Sequence, residues 1–223
     1  MSFSSEVKEE LARLTSGARH CKIAELAGIL NFCGEVREEQ GSYLVKVHTE
    51  NVSVAKRFFT LLKDTFGIHG ELQVKRNEYL KRSRNYSVFV DKHEDCVLLL
   101  KAVKYFEPKN FGLVLQNTCC KRAYIRGAFL AAGSMSDPEK NYHFEIVTLH
   151  EQFAEQLQDV LDFFELDAKI VIRKKYYVVY IKEGAKIVDV LNIMEAHIAL
   201  MNLENVRICL LYTSPSPRDS TSS

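Results

Sequence analysis

Several features are scarce or absent in this 223-residue sequence, and each absence excludes a class of protein. Four prolines and ten glycines exclude a collagen-like or linker-rich chain. No apolar run approaches the roughly 18 residues that a membrane-spanning helix requires. The N-terminus has no apolar region of the kind found in secretory signals. We therefore expect a cytoplasmic protein with no membrane partner.

Neither sign of charge is in excess, because 30 basic and 29 acidic residues leave a formal net charge of +1. The overall charge therefore does not indicate a nucleic-acid partner, and only an uneven distribution along the chain could do so. Hydrophobic residues make up 47% of the sequence. A chain of this length and composition can bury a core without a disulfide or a structural metal.

The six cysteines do not form a recognisable metal-binding or disulfide pattern. None forms a CxxC pair, and no histidine pair lies near them at zinc-ligand spacing. The sequence thus predicts no metal site and no cofactor, and it favours a reduced protein with free thiols. Cys119 and Cys120 lie at a predicted helix start, where a thiol pKa can be lowered. Packing is the favoured role for both.

Helical and strand patterns occur twice in the same order. Each half shows helix, strand, helix, strand, strand and helix, from the spacing of its apolar residues. Leu26 and Ile125 begin similar segments 99 residues apart, and Phe66 and Phe164 end similar helices 98 residues apart. This nearly constant offset indicates two duplicated halves about a pseudo-two-fold axis. The predicted helices cover residues 22–32, 52–66, 95–106, 119–132, 151–164 and 187–201. The predicted strands cover residues 42–48, 71–75, 86–90, 143–148, 169–173 and 177–181.

The chain divides into four predicted segments. These are an N-terminal helix in residues 1–20, a first half in 21–110, a second half in 115–208 and a tail in 209–223. From Leu210 the tail is rich in serine and proline and has no periodicity, which is typical of disorder. A native tail, a cloning scar and a frame-shifted end all remain open as its origin.

Two matched segments each carry a glycine in the middle of a predicted helix. They read LAGILNFCG at 26–34 and IRGAFLAAG at 125–133. A mid-helix glycine costs roughly 0.5–1 kcal/mol relative to alanine, whereas small residues let two helices approach closely. Gly28 and Gly127 are therefore predicted to be helix-packing residues. The segments resemble the LAGLIDADG motif of homing endonucleases, which implies an α+β fold: a pseudo-two-fold repeat of αββαββ-type halves with central paired helices.

The resemblance also shows where this sequence departs from an active nuclease. In active LAGLIDADG enzymes, the acidic residue before each closing glycine holds a divalent metal. Here those positions are Cys33 and Ala132, which offer no hard oxygen ligand. Glu35 lies one residue past the motif and Asp137 four residues past it. The resemblance therefore implies the scaffold without catalytic residues, and the protein is predicted not to be an enzyme.

Longer stretches resemble the WhiA family, namely residues 115–133 and 136–145, the opening 2–11 and the later 196–207. The family comprises DNA-binding transcription regulators tied to sporulation, cell division and chromosome segregation. The resemblance thus implies double-stranded DNA and division or transcription proteins as partners, at the nucleoid. Family members continue into a helix-turn-helix domain where this sequence enters its tail. We therefore expect that domain to be absent and DNA binding to be weak.

Basic residues concentrate in the paired strands of each half. Residues 73–92 contain six basic and two acidic residues, and residues 169–182 contain five basic and no acidic residues. Strand ribbons can enter a DNA groove, and basic side chains can bind phosphates. A solvated sheet edge is the alternative explanation. The predicted DNA-binding residues are Lys75, Arg76, Lys81, Arg82, Arg84, Arg173, Lys174 and Lys175.

Two further functions remain open at the level of the sequence. One is a protein-interaction module that does not contact DNA. The other is a residual homing endonuclease that uses displaced acids such as Glu35 and Asp137.

Overall fold

A computed structural model describes residues 1–15, 17–76 and 83–213 of the chain. A single helix, α1 (Phe3–Ala12), precedes two halves. The first half contains α2 (Arg19–Cys33), β1 (Gly34–Glu39), β2 (Ser42–Thr49), α3 (Val52–Phe66), β3 (Glu71–Arg76), β4 (Arg84–Val90) and α4 (His93–Ala102). The second half contains α5 (Thr118–Ala132), β5 (Gly133–Met135), β6 (Phe144–Thr148), α6 (Glu151–Phe163), β7 (Lys169–Arg173), β8 (Tyr176–Ile181) and α7 (Gly184–Met194), after which α8 (His197–Thr213) follows.

Each half builds its own four-stranded antiparallel sheet. The strand order is β1-β2-β4-β3 in the first sheet and β5-β6-β8-β7 in the second. The two orders are the same when the strands of each half are counted from the start of that half. The predicted α+β fold with two repeated halves is confirmed.

The helices cover one face of each sheet and leave the other face open. In β6 the buried Phe144 and Ile146 alternate with the half-buried Glu145 and Val147, which is the period of a strand with one face in the core. The buried residues of both halves form one continuous hydrophobic core, with α2 and α5 at its centre. The two halves are therefore a single packed unit.

The first strand of each sheet, β1 and β5, is missing from the elements that the sequence predicts. The segment of β1 reads GEVREE, and four of its six residues are exposed. As an edge strand it packs little apolar surface, so it lacks the alternation by which strands are recognised. Each half consequently follows the order αββαββα rather than starting with helix, strand, helix.

Two predicted boundaries at the C-terminal end also differ from the structure. The predicted helix 187–201 is broken, because Glu195 has a left-handed φ of 70° that ends α7 and lets α8 begin at His197. Helix α8 continues to Thr213, so residues 209–213 of the predicted tail are helical. No proline lies between His197 and Pro215, so none breaks the helix within this stretch. Residues 214–223 lie outside the described part of the chain.

Candidate nucleic-acid interface

The two central helices, α2 and α5, meet backbone to backbone at their matched glycines. A Cβ atom added to Gly28 would lie 2.5 Å from the carbonyl oxygen of Tyr124 and 2.8 Å from the amide nitrogen of Ala128. A Cβ atom added to Gly127 would overlap the backbone of Glu25. Both glycines thus allow an approach that no larger residue permits, and this contact sets the distance between the two halves.

The C-terminal tips of the two helices carry the two residues that the LAGLIDADG resemblance aligns with the nuclease acids. Cys33 ends α2 and Ala132 ends α5, and the next residue in each case begins an edge strand. Lys8 of α1 lies beside this tip, with its ammonium 5.7 Å from the centre of the Phe129 ring. Burial raises the pKa of the Cys33 thiol to about 12, an effect that the nearby Lys8 partly offsets. Burial lowers the pKa of Lys8. The two helix tips therefore carry a neutral thiol and a methyl group, with the Lys8 side chain beside them.

The displaced acids Glu35 and Asp137 are engaged in local contacts. Glu35 pairs with Arg37 at 2.6 Å on β1. Asp137 lies exposed in the turn after β5, where its carboxylate accepts a hydrogen bond from the Glu139 amide at 3.0 Å. Each of the two carboxylates thus makes a contact within its own segment of the chain.

The first basic segment lies at the end of the β3–β4 hairpin. The register pairs Lys75 with Asn85 and Arg76 with Arg84, and directly opposed residues share one face of the sheet. Lys75 therefore points to the open face, whereas Arg76 and Arg84 point to the other face, where both remain exposed. The predicted DNA-binding residues Lys81 and Arg82 lie outside the described residues.

The second basic segment lies at the end of the β7–β8 hairpin. Lys174 and Lys175 form its turn, and Lys174 has a left-handed φ of 57°. Arg173 is less available, because it binds the carboxylate of Glu145 at 3.1 Å. Partial burial disfavours ionisation of Glu145, but hydrogen bonds from Arg173 and His143 outweigh burial and lower the pKa of the carboxyl group. The free charge of this hairpin is therefore concentrated at its turn.

The open sheet faces carry polar and aromatic residues that were not among the predicted site residues. In the first sheet, the Lys46 ammonium lies 5.6 Å from the centre of the Phe89 ring, and His48 Nδ1 lies 3.2 Å from Ser87 Oγ. In the second sheet, the position opposite the aromatic residue Tyr180 is Glu145. The alternation within β2, which places Lys46 and His48 on one face, was the available signal. The first open face is consequently more basic at its centre than the second.

The N-terminal ends of α2 and α5 bring four chemically related side chains together. They are His20 and Cys21 from α2 and Cys119 and Cys120 from α5. Cys120 is buried, which fits its predicted packing role, whereas Cys119, for which the same role is predicted, is exposed. Cys21 is half-buried. No spacing within one segment indicates this cluster, because the two pairs lie 99 residues apart.

Two family models match the two halves of the chain. The model described as the WhiA N-terminal LAGLIDADG-like domain matches residues 19–104, and the model described as the WhiA LAGLIDADG-like domain matches residues 121–210. The chain belongs to the WhiA family. The resemblance inferred from its motifs is therefore confirmed.

Curated members of the WhiA family align with nearly the whole chain. The "Probable cell division protein WhiA" of Lachnoclostridium phytofermentans is 51% identical over 217 residues, which cover 93% of this chain and 69% of that relative. Proteins of the same name from Alkaliphilus oremlandii and Clostridium botulinum are 46% and 40% identical, with coverages of 93% of this chain and 68% and 69% of the relatives. These relatives are named as cell division proteins.

Solved structures of WhiA and of homing endonucleases both resemble the fold of this chain. Full-length DUF199/WhiA from Thermotoga maritima superposes with a TM-score of 0.76 at 22% identity, covering 94% of this chain and 67% of that one. The homing endonuclease I-DmoI, crystallised with DNA and Mn, superposes with a TM-score of 0.58 at 17% identity, covering 79% and 98%. At such identities the likeness concerns the fold. None of the helices in the described part of the chain combines the length and the hydrophobicity that a membrane span requires.

Proposed function

We propose that this protein is a non-catalytic, DNA-binding transcription regulator of the WhiA type, acting at the nucleoid in cell division, sporulation and chromosome segregation. The observation that carries the proposal is the pair of basic hairpin ends, one from each half, on a scaffold shared with a DNA-bound endonuclease. Matched hairpins related by a pseudo-two-fold axis suit a duplex, whose two strands are themselves related by two-fold axes.

The charge distribution supports contact through the hairpins. Arg76 of β3 and Arg84 of β4 are directly opposed in the first hairpin. Lys174 and Lys175 form the turn of the second hairpin, between β7 and β8. Helix α6 in contrast exposes Glu151, Glu155 and Asp159. Contacts from such lysines and arginines to phosphates provide affinity that does not depend on base sequence. The hairpins would therefore position the protein on DNA without selecting a site.

The helix tips support a role without hydrolysis. Mg²⁺ prefers hard oxygen ligands, and metal-assisted cleavage relies on them to bind the ion next to the phosphate. Cys33 and Ala132 supply none, and the amine of Lys8 lies beside them. We expect no loss of supercoiled plasmid when the chain is incubated with Mg²⁺. Specific cleavage that Glu35→Ala and Asp137→Ala together abolish would instead establish a residual endonuclease.

The DNA-binding part of the proposal is tested by titrating a fluorescently labelled DNA duplex with the protein and measuring its anisotropy at several salt concentrations. One variant combines Arg76→Ala with Arg84→Ala, and a second combines Lys174→Asn with Lys175→Ala, since asparagine tolerates the left-handed backbone at position 174. The matched control combines Lys56→Ala with Lys63→Ala, which removes two exposed charges from α3.

Each hairpin variant should weaken binding and lower the slope of log affinity against log salt by about 1–2, because each lost phosphate contact contributes about 0.9. The control should retain the parent slope. Equal losses in the control and the hairpin variants would assign the affinity to general charge and contradict the proposed interface.

A protein-interaction module without DNA contact is the second candidate, and the surface of α8 favours it. Ile198, Met201 and Leu211 are each more than 60% exposed, which is unusual for large apolar residues on one helix. Unchanged anisotropy with random duplex at low salt would favour this module over the DNA-binding proposal.

A further inference from the structure

The cluster at the joined N-terminal ends of α2 and α5 has the composition of a zinc site. The ligand atoms of His20, Cys21, Cys119 and Cys120 all lie within 4.8 Å of one another. Three thiols and one imidazole form the Cys₃His set found in structural zinc sites. We propose that these four residues bind one Zn²⁺ ion, a site independent of the function proposed above.

The distances match a tetrahedral site. His20 Nδ1 lies 3.1 Å from the sulfur of Cys120, 3.5 Å from that of Cys21 and 3.8 Å from that of Cys119. Zinc bonds of about 2.3 Å to sulfur and about 2.0 Å to nitrogen place these atoms about 3.5 Å apart in a tetrahedron. The three distances from the imidazole nitrogen are close to this value, and all four ligand atoms lie within 4.8 Å of one another.

The pseudo-symmetry of the fold creates the arrangement. His20 and Cys119 are equivalent positions with an offset of 99 residues, and so are Cys21 and Cys120. Each helix therefore contributes two adjacent ligands from its first turn. Because the glycine contact between α2 and α5 sets the helix separation, the two ligand pairs are held at a defined distance.

The charge balance also favours a bound dication. Coordination converts three thiols into thiolates and releases three protons to solvent, so the zinc complex carries a formal charge of −1. The two helix N-termini that meet there each supply about half a positive charge. Soft sulfur ligands select zinc over Mg²⁺ or Ca²⁺, which distinguishes this site from the nuclease positions at the opposite helix ends.

The bound ion would link the two halves at one end of the helix pair. Cys120 is buried and Cys21 half-buried, whereas His20 and Cys119 are exposed, so the site is open enough for the ion to enter. A ligand that binds the folded chain and not the unfolded chain raises the melting temperature. Zinc should therefore stabilise the whole protein.

The test measures zinc directly. The purified full chain is reduced, incubated with Zn²⁺, desalted and analysed by elemental mass spectrometry, with one zinc ion per chain as the expected result. Co²⁺ in place of Zn²⁺ should produce thiolate charge-transfer bands and the visible bands of a tetrahedral centre, and Zn²⁺ should abolish both.

Two variants locate the ion. Combining Cys21→Ser with Cys120→Ser should reduce the retained zinc to background and abolish the zinc-dependent rise in melting temperature. The matched control combines Cys33→Ser with Cys209→Ser, which removes two thiols outside the cluster and should retain one zinc ion. Circular dichroism of both variants verifies that they are folded.

Three results would overturn the proposal. The first is a reduced parent chain that retains no zinc and gives no Co²⁺ spectrum, an outcome that does not depend on any variant. The second is equal zinc retention by the cluster variant and the parent. The third is a disulfide within the cluster that persists under the reducing conditions used for loading.

Discussion

At the scale of single residues, Cys33 and Lys8 define the chemistry of the helix tips. Burial raises the pKa of the Cys33 thiol and lowers the pKa of Lys8, so it favours the neutral form of each group. A protonated thiol is a poor metal ligand, because the thiolate is the form that coordinates. A carboxylate pair would attract a cation, whereas a neutral thiol next to a lysine supplies no negative charge.

The raised thiol pKa predicts a dependence of stability on pH. The pKa of Cys33 rises from an ordinary value of 9.0 to about 12 in the folded chain. Between these values the unfolded chain has lost the proton and the folded chain has kept it, so the free energy of unfolding falls as pH rises. The stabilisation is complete below about pH 9, and the decline is at most about 1.4 kcal/mol per pH unit.

Urea unfolding of the parent and Cys33→Ala at pH 7 to 11 measures this decline. The difference in free energy of unfolding between the two chains should shrink above pH 9. A control, Cys209→Ala at an exposed position, should follow the parent at every pH. Parallel profiles for the parent and Cys33→Ala would show that the thiol does not titrate as the structure implies.

At the scale of elements, the contact between α2 and α5 has no room for a side chain. The atoms that an added Cβ at Gly127 would meet are the backbone oxygen, carbon and Cα of Glu25, which cannot rotate away. Alanine in mid-helix is normally more favourable than glycine by roughly 0.5–1 kcal/mol. At Gly127 alanine should instead be less favourable than glycine, because its methyl group would force the two helices apart.

We expect Gly127→Ala to lower the free energy of unfolding by about 1–3 kcal/mol, the usual range for overpacking. Gly112→Ala is the matched control, since an added Cβ there meets no atom within 4 Å, and its effect should stay within about 0.5 kcal/mol. Chemical denaturation measures both changes. A stabilised Gly127→Ala chain would mean that the helices do not meet as closely as described.

At the scale of the whole molecule, a buried ion network connects the halves. The Glu25 carboxylate of α2 binds Arg57 of α3 at 2.7 Å and also binds Arg126 of α5. Arg126 in turn reaches Glu195 at 2.9 Å. Removing one member of a buried ion pair leaves the remaining charge without compensation, which typically costs about 3–5 kcal/mol.

Glu25→Ala should therefore destabilise both halves together, by about 3–5 kcal/mol. Hydrogen exchange should show faster exchange in β2 and β4 and equally in β6 and β8, because one core serves both sheets. Glu9→Ala removes the acid of an exposed pair with Arg13 and should change stability by about 0.5 kcal/mol or less. Faster exchange confined to one sheet would contradict a shared core.

Local and periodic signals in the sequence determined much of this protein. The 99-residue offset, the matched Gly28 and Gly127 and the absence of acids at Cys33 and Ala132 all follow from the order of residues. Secondary structure with a buried face was predictable because burial imposes a period of 2 or 3.6 residues. β1 escaped detection because an edge strand buries little, and the break at Glu195 depends on a single backbone angle.

Only the tertiary structure decided which distant residues meet and which face each side chain takes. Register placed Lys75 on the open face and Arg76 on the other, and folding gave Arg173 an acidic partner in Glu145. The packing of α2 on α5 brought His20 beside Cys120, 100 residues away. Such contacts arise from the packing of whole elements, so no spacing within one segment encodes them.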